Sequence, residues 1–217
     1  MTGSPRAGLF ELAALLLGYP DDELLGAGDD LRAAAAAVAD EPGRERLTAF
    51  LDWLLATPPI DAQREFVHAF DLRRRSGLYL TYYLHGDTRK RGMALLVLKQ
   101  RYRAHGLRVA DGELPDLLPV VLEFAALVGP GDGEAPLRQH RTGLELLRAA
   151  LTESGTPYRL VLDAVCGVLA ELTDDDRAAL AALAADGPPV ETVGLGTIGA
   201  GPDLNPYPAC IPAEASR

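Results

Sequence analysis

The sequence predicts an all-α fold: a single bundle of roughly eight to ten helices over residues 1–186, followed by a Gly/Pro-rich flexible tail over 187–217. Three observations predict it. Ala and Leu dominate while aromatic residues are only 6%, a composition that favours helices. No long run of Val, Ile and Thr, the residues that fit a pleated surface, occurs. Apolar residues recur at i, i+3 and i+4, as in Leu47, Phe50, Leu51, Leu54 and Leu55, the period of a helix with one buried face.

Taken in order, residues 8–17 form a compact apolar helix. It carries Glu11 in its middle and ends in Gly18-Tyr19-Pro20 without a small-residue cleavage site, so it reads as a buried helix rather than a signal peptide. No other stretch approaches the roughly 20 apolar residues of a membrane span. A cytoplasmic protein without direct membrane insertion is expected. Asp21, Asp22 and Glu23 give an acidic start to a second helix, which the alanine run 33–37 continues. Pro42 opens a third, stopped by Thr57-Pro58-Pro59. Asp61 caps a fourth, with Phe66, Val67 and Phe70 on one face.

Residues 71–84 change character, with Arg73-Arg74-Arg75 followed by Leu78, Tyr79, Leu80, Tyr82 and Tyr83. Gly86-Asp87-Thr88 breaks the chain, and a helix runs to about His105 with Gly106 as a left-handed stop. Pro119 lacks an N–H and restricts Leu118, so the next helix starts at 119 or is kinked in its first turn, and it ends at Gly129. Gly129 to Gly133 reads as a flexible connector. Helices at about 136–153, 157–172 and 174–185 complete the bundle, the last capped by Thr173. Beyond Gly187 there is no helical period, and apolar residues are too few to offset the entropy of ordering.

Chemistry-bearing patterns are sparse. Cys166 and Cys210 lie far apart, one reading as core and the other as an exposed tail thiol, and the four histidines show no i, i+4 pair. Gly194-Leu195-Gly196-Thr197-Ile198-Gly199 matches the dinucleotide-binding glycine pattern. That pattern needs a strand before it and a helix after it, whereas Pro202, Pro206 and Pro208 follow here. No metal, cofactor or nucleophile set is expected, and an enzyme reading rests on nothing positive.

The charge layout says more. Residues 64–108 hold eleven Arg or Lys against three acids, net +8, while the whole chain carries −10 and the remainder therefore −18. A basic belt of this kind is the footprint of a nucleic-acid-binding or regulatory module. The acidic remainder repels a polyanion, and no recognition-helix motif is present, so no nucleic-acid partner is expected. Arg89, Lys90 and Arg91 fall in the first turn of a helix, where the macrodipole disfavours cations. Carboxylates of neighbouring helices, or a docked partner, are expected beside them.

Phe70-Asp71-Leu72-Arg73-Arg74, Leu78-Tyr79-Leu80-Thr81-Tyr82-Tyr83, Gly86-Asp87-Thr88-Arg89-Lys90-Arg91-Gly92-Met93-Ala94-Leu95, Glu113-Leu114-Pro115-Asp116-Leu117-Leu118-Pro119 and Leu122-Glu123-Phe124 occur in order. Together with Leu17-Gly18-Tyr19-Pro20-Asp21 they resemble the nitrate reductase delta-subunit family, the molybdenum-cofactor assembly chaperones of respiratory nitrate reductase. The resemblance covers residues 9–130 best.

It implies a helical bundle that binds the N-terminal segment of the apo catalytic (alpha) subunit, keeps it open for cofactor insertion and delays membrane docking. It also implies that the protein does not hold the cofactor itself. The candidate client-binding residues are Tyr79, Tyr82, Tyr83, Asp87, Arg89, Arg91, Asp116, Leu117, Leu118, Glu123 and Phe124. An apolar groove between helices can receive an amphipathic peptide, with rim charges setting its orientation.

Overall fold

Helix α1 (Ala7–Leu16) is apolar almost all the way round, and the fold answers by surrounding it. Leu9, Phe10, Leu12, Ala13, Ala14 and Leu16 are all buried, leaving Gly8, Glu11 and Leu15 at the surface, the pattern of a central helix. The computed structural model that shows this describes residues 4–72, 76–187 and 189. Among them are twelve α-helices and no strand beyond a single bridge.

After α1 come α2 (Asp22–Gly26), α3 (Gly28–Ala36), α4 (Glu41–Ala56) and α5 (Pro59–Phe66), the last running into a π-turn at Val67–Asp71. Then follow α6 (Leu80–His85), α7 (Arg89–Ala104), α8 (Leu118–Val128), α9 (Ala135–Gln139), α10 (Arg141–Ser154), α11 (Arg159–Val168) and α12 (Asp174–Asp186). Helix α1 packs chiefly on α8 and also touches α3, α4 and α11, while α4 and α11 form the other major pair.

Leu47, Phe50, Leu51 and Leu54 of α4 are buried as their spacing predicts, and each contributes roughly 1.5–3 kcal/mol through apolar burial. Tyr158, fully buried just before α11, joins the elements. Its ring lies 4.9 Å from Phe50, 5.9 Å from Trp53, 5.8 Å from Phe66 and 4.9 Å from Phe70. A smaller cluster of Leu98, Tyr102 and Phe124 fastens α7 onto α8 apart from this core.

Several sequence expectations need correction. The second helix divides at Ala27, because Gly26 and Gly28 flank it and lower helix propensity there. Asp61 is not a cap: Pro58 holds that position and Pro59 opens α5, a ring whose fixed φ suits a first helical residue. The stretch at 136–153 is two helices meeting at His140, whose ring Nδ1–H donates to the Pro136 carbonyl at 2.9 Å. Helix α11 ends at Val168, short of 172. These breaks raise the helix number above the eight to ten expected.

The connector 129–133 is clamped. Asp132 pairs with Arg101 at 2.5 Å and with His105 at 2.6 Å, while Arg138 donates to the Gly131 carbonyl at 2.6 Å. Thr173 does cap α12, in a reciprocal capping box with Asp176. Cys166 is core, and burial pushes its thiol up to about 12. Cys210, the Gly194–Gly199 pattern and all of the expected tail except residues 187 and 189 lie outside the described residues. Among the described residues no helix is long and apolar enough to cross a membrane.

Candidate functional site

The two strongest sequence blocks meet in space. Residues 78–80 run antiparallel to 116–118: the Leu80 N–H donates to the Asp116 carbonyl at 3.0 Å, and the Leu118 N–H to the Leu78 carbonyl at 2.8 Å. This short pairing uses Leu117 in extended conformation, as the residue that precedes the first turn of α8. It also places Tyr79 at the head of α6, directly across from Leu117.

The pairing draws Asp116 fully inside, at 0% exposure. Its Oδ2 accepts from the Thr81 hydroxyl and, at 3.3 Å, from the Thr81 N–H. Arg91, in the first turn of α7, reaches the same oxygen at 3.5 Å and Asp87 at 3.4 Å. Its guanidinium sits 5.6 Å from the Tyr79 ring centroid and 5.9 Å from that of Tyr82, within cation–π range. The cation disfavoured in the first helical turn is thus held by two carboxylates and two rings. Asp116 Oδ1 has no hydrogen-bond partner among the described residues.

Six of the predicted residues therefore come together: Tyr79, Tyr82, Asp87, Arg91, Asp116 and Leu117. Tyr79 is 40% exposed, and Tyr82 and Leu117 are half-buried, so an apolar and aromatic surface with one guanidinium faces outward. Tyr83 and Leu118 are buried beneath it. The Tyr83 hydroxyl donates to the Gly77 carbonyl at 2.9 Å, and burial, then the neighbouring Tyr82, raises its pKa far above the ordinary tyrosine value. Arg89 lies exposed on the first turn of α7.

Glu123 and Phe124 belong to an adjoining groove rather than to this cluster. A cleft of about 390 Å³ between α7 and residues 107–113, and a smaller one of about 70 Å³ against α8, share Tyr102, Leu107, Arg108 and Val109 as walls. Phe124 is buried with its ring 4.6 Å from that of Tyr102. Burial, then Glu113, raises the pKa of the Glu123 carboxyl. Tyr102 bridges the two regions, since its hydroxyl donates to the Pro115 carbonyl at 2.7 Å.

Sequence reasoning missed Thr81, although it stands inside a quoted block, and Tyr102, which lies outside those blocks. Thr81 was legible as a small polar residue in an otherwise aromatic and aliphatic run.

On the opposite side of this region α7 is unusually bare. Met93 is 64% exposed, Leu96 43% and Val97 51%, a stripe at i, i+3, i+4 spacing. Lys99, Arg103 and Arg108 have no ion pair among the described residues.

Comparison with known proteins accords with these blocks. Residues 37–162 match the family model described as nitrate reductase delta subunit. The nitrate reductase-like protein NarX of Mycobacterium tuberculosis is 40% identical over 158 residues, which are 73% of this chain but only 24% of that protein. The nitrate reductase molybdenum cofactor assembly chaperone NarJ of Escherichia coli is 32% identical over 170 residues, 77% of this chain and 72% of the relative. A crystal structure of a candidate redox enzyme maturation protein from Archaeoglobus fulgidus superposes with a TM-score of 0.56 at 22% identity, covering 74% of this chain and 91% of the other. At that identity the likeness shows a shared fold.

Proposed function

Because this chain belongs to the nitrate reductase delta-subunit family, we propose that it is a dedicated assembly chaperone, not a catalyst. Its client is the apo catalytic subunit of a respiratory nitrate reductase. It binds that subunit's N-terminal segment in the cytoplasm, keeps the subunit competent for molybdenum-cofactor insertion and acts before membrane docking.

The observation that carries this reading is the pairing of the two family blocks around Asp116, which leaves Tyr79, Tyr82 and Leu117 facing outward around a fixed guanidinium. Such a surface can bury the apolar face of a short helix while Arg91 meets a carboxylate or a helix C-terminus. Asp87, Arg89 and Glu123 supply charges at the rim. Asp116, Tyr83 and Leu118 hold the contacting residues in position from beneath, and Phe124 anchors α7 from the adjoining groove.

Calorimetric titration of the whole chain with a peptide copying the first turns of the catalytic subunit tests this. Binding with a negative heat-capacity change is expected. Tyr82→Ala is expected to weaken it by about 1–2 kcal/mol and Arg89→Gln by less, since aromatic anchors outweigh exposed charges. Affinity falls only modestly with salt if rim charges alone are screened. No heat with the peptide, alongside DNA binding that loses orders of magnitude in affinity with salt, would overturn the reading in favour of a nucleic-acid module using the 64–108 belt.

A further inference from the structure

Helix α7 stands on the molecule as a ridge. Ten of its sixteen residues are exposed, and only Leu98 and Tyr102 are buried. Met93, Leu96 and Val97 form the crest, and the exposed Gln100 and Ala104 continue it along the helix. At about 100° per residue, Lys90 lies roughly 60° to one side of Met93, Arg103 roughly 80° to the other, and Lys99 beyond it. The apolar stripe is therefore flanked by cations on both sides.

The charge on this ridge is of one sign. Residues 88–110 contain seven Lys or Arg and no Asp or Glu. Arg91 and Arg101 are met by carboxylates from outside the stretch. Lys90, Lys99, Arg103 and Arg108 have no ion pair among the described residues, although the chain carries 31 acidic residues. Cations held away from the chain's own carboxylates, around an exposed apolar crest, fit an anionic surface supplied from outside. We propose that α7 is a peripheral contact for an anionic phospholipid bilayer. It lies flat on the membrane, with Met93, Leu96 and Val97 below the headgroups and the four cations at the phosphates.

Shape selects lipid over a protein partner. A convex ridge with three apolar side chains falls far short of the roughly 800 Å² that each partner buries in a stable protein interface. A bilayer needs only a shallow apolar face joined to electrostatic attraction, and neither alone holds firmly, so the attachment is reversible. The long stems of Lys and Arg let their charges reach the phosphates while the crest is immersed. The rest of the chain sets the orientation. Outside residues 64–108 it carries −18, which the same surface repels, so α7 faces the membrane. Beyond a Debye length of about 10 Å that repulsion is screened. Arg91 lies roughly 200° around α7 from Met93, so lipid contact leaves Tyr79, Tyr82 and Arg91 open. The inference goes beyond the client reading and stands without it.

The whole chain is sedimented with vesicles of phosphatidylcholine, alone or in equal parts with phosphatidylglycerol. Binding is expected to the anionic vesicles only, weakening as salt rises. Leu96→Gln is expected to lower the partition coefficient several-fold. Lys99→Gln with Arg103→Gln is expected to lower it about tenfold or more, each surface cation being worth about fivefold. These side chains are exposed, so the thermal midpoint should not move. A polarity-sensitive dye at Met93→Cys, in a Cys210→Ser background with Cys166 buried and unreactive, is expected to shift to the blue on anionic vesicles. The same dye at Ile60→Cys on α5, also exposed, should not shift. No binding to anionic vesicles at low salt overturns the proposal. So does binding without a shift at Met93, which would be adsorption by charge alone. A dimer that forms without lipid and is dissolved by Leu96→Gln also overturns it, assigning the crest to a second copy.

Discussion

Arg91 and Asp116 share one interaction but not one environment. Asp116 is fully buried, whereas the Arg91 side chain keeps 19% of its surface and a second carboxylate, Asp87, at 3.4 Å. Deleting the cation strands a buried carboxylate, while deleting the buried charge leaves a guanidinium that can still reach water. Arg91→Met is therefore expected to cost about 3 kcal/mol and Asp116→Asn about 1 kcal/mol in denaturant unfolding. Equal losses would show that the pair is solvated on both sides. His140 carries a pH signature. Burial, opposed in part by its bond to the Pro136 carbonyl, lowers its pKa below the ordinary histidine value. The unfolded chain then takes up a proton near pH 6.5 that the folded chain refuses. Stability is full above that pH and falls as pH drops below it. The thermal midpoint of His140→Gln is expected to fall less between pH 7.5 and 5.5 than that of the parent. A parallel decline would exclude His140 as a cause.

At the level of elements, a start was legible wherever a residue carried its own mechanism. Asp21 accepts from the Leu24 N–H at 2.9 Å, and Thr173 and Asp176 cap α12 reciprocally, both readable as short polar residues before a helical run. Thr173→Ala is expected to cost about 1 kcal/mol. The loss falls on α12, seen as faster amide exchange over Asp174–Asp186 with little change in α4. Breaks inside a helical composition were less legible. His140 interrupts good helix formers, and what decides that break is tertiary, since α9 turns so that α10 can pack on α6. Periodicity also cannot say whether an apolar stripe finds a partner. Met93, Leu96 and Val97 stand at helical spacing, yet α7 presents them outward, because Leu98 and Tyr102 are the residues that anchor it.

Across the whole molecule, the main core was readable from spacing alone, since Phe50, Phe66 and Phe70 fall on the faces their periods predict. Their common neighbour Tyr158 was not, because it precedes α11 outside any repeat. The site was legible as blocks of residues but not as a contact, since nothing in the two blocks reveals that residues 78–80 pair with 116–118. The division of the apolar interior into two clusters likewise appears only in three dimensions, and it sets how the protein opens. Phe50 lies in the core that joins α1, α4, α5, α8, α10 and α11, so Phe50→Ala is expected to cost about 3–5 kcal/mol globally. Phe124 holds α7 through Leu98, Tyr102 and His105. Phe124→Ala should release α7 as a unit while the main core stays closed, because regions with few buried contacts open below the global transition. Native-state hydrogen exchange separates the cases. Phe50→Ala should raise exchange of the slowest amides of α1, α4 and α11 together, whereas Phe124→Ala should raise exchange over Arg89–Ala104 and leave those amides unchanged. A uniform rise with Phe124→Ala would mean that α7 unfolds only with the rest of the bundle, and that the surface it presents cannot be opened or re-covered independently.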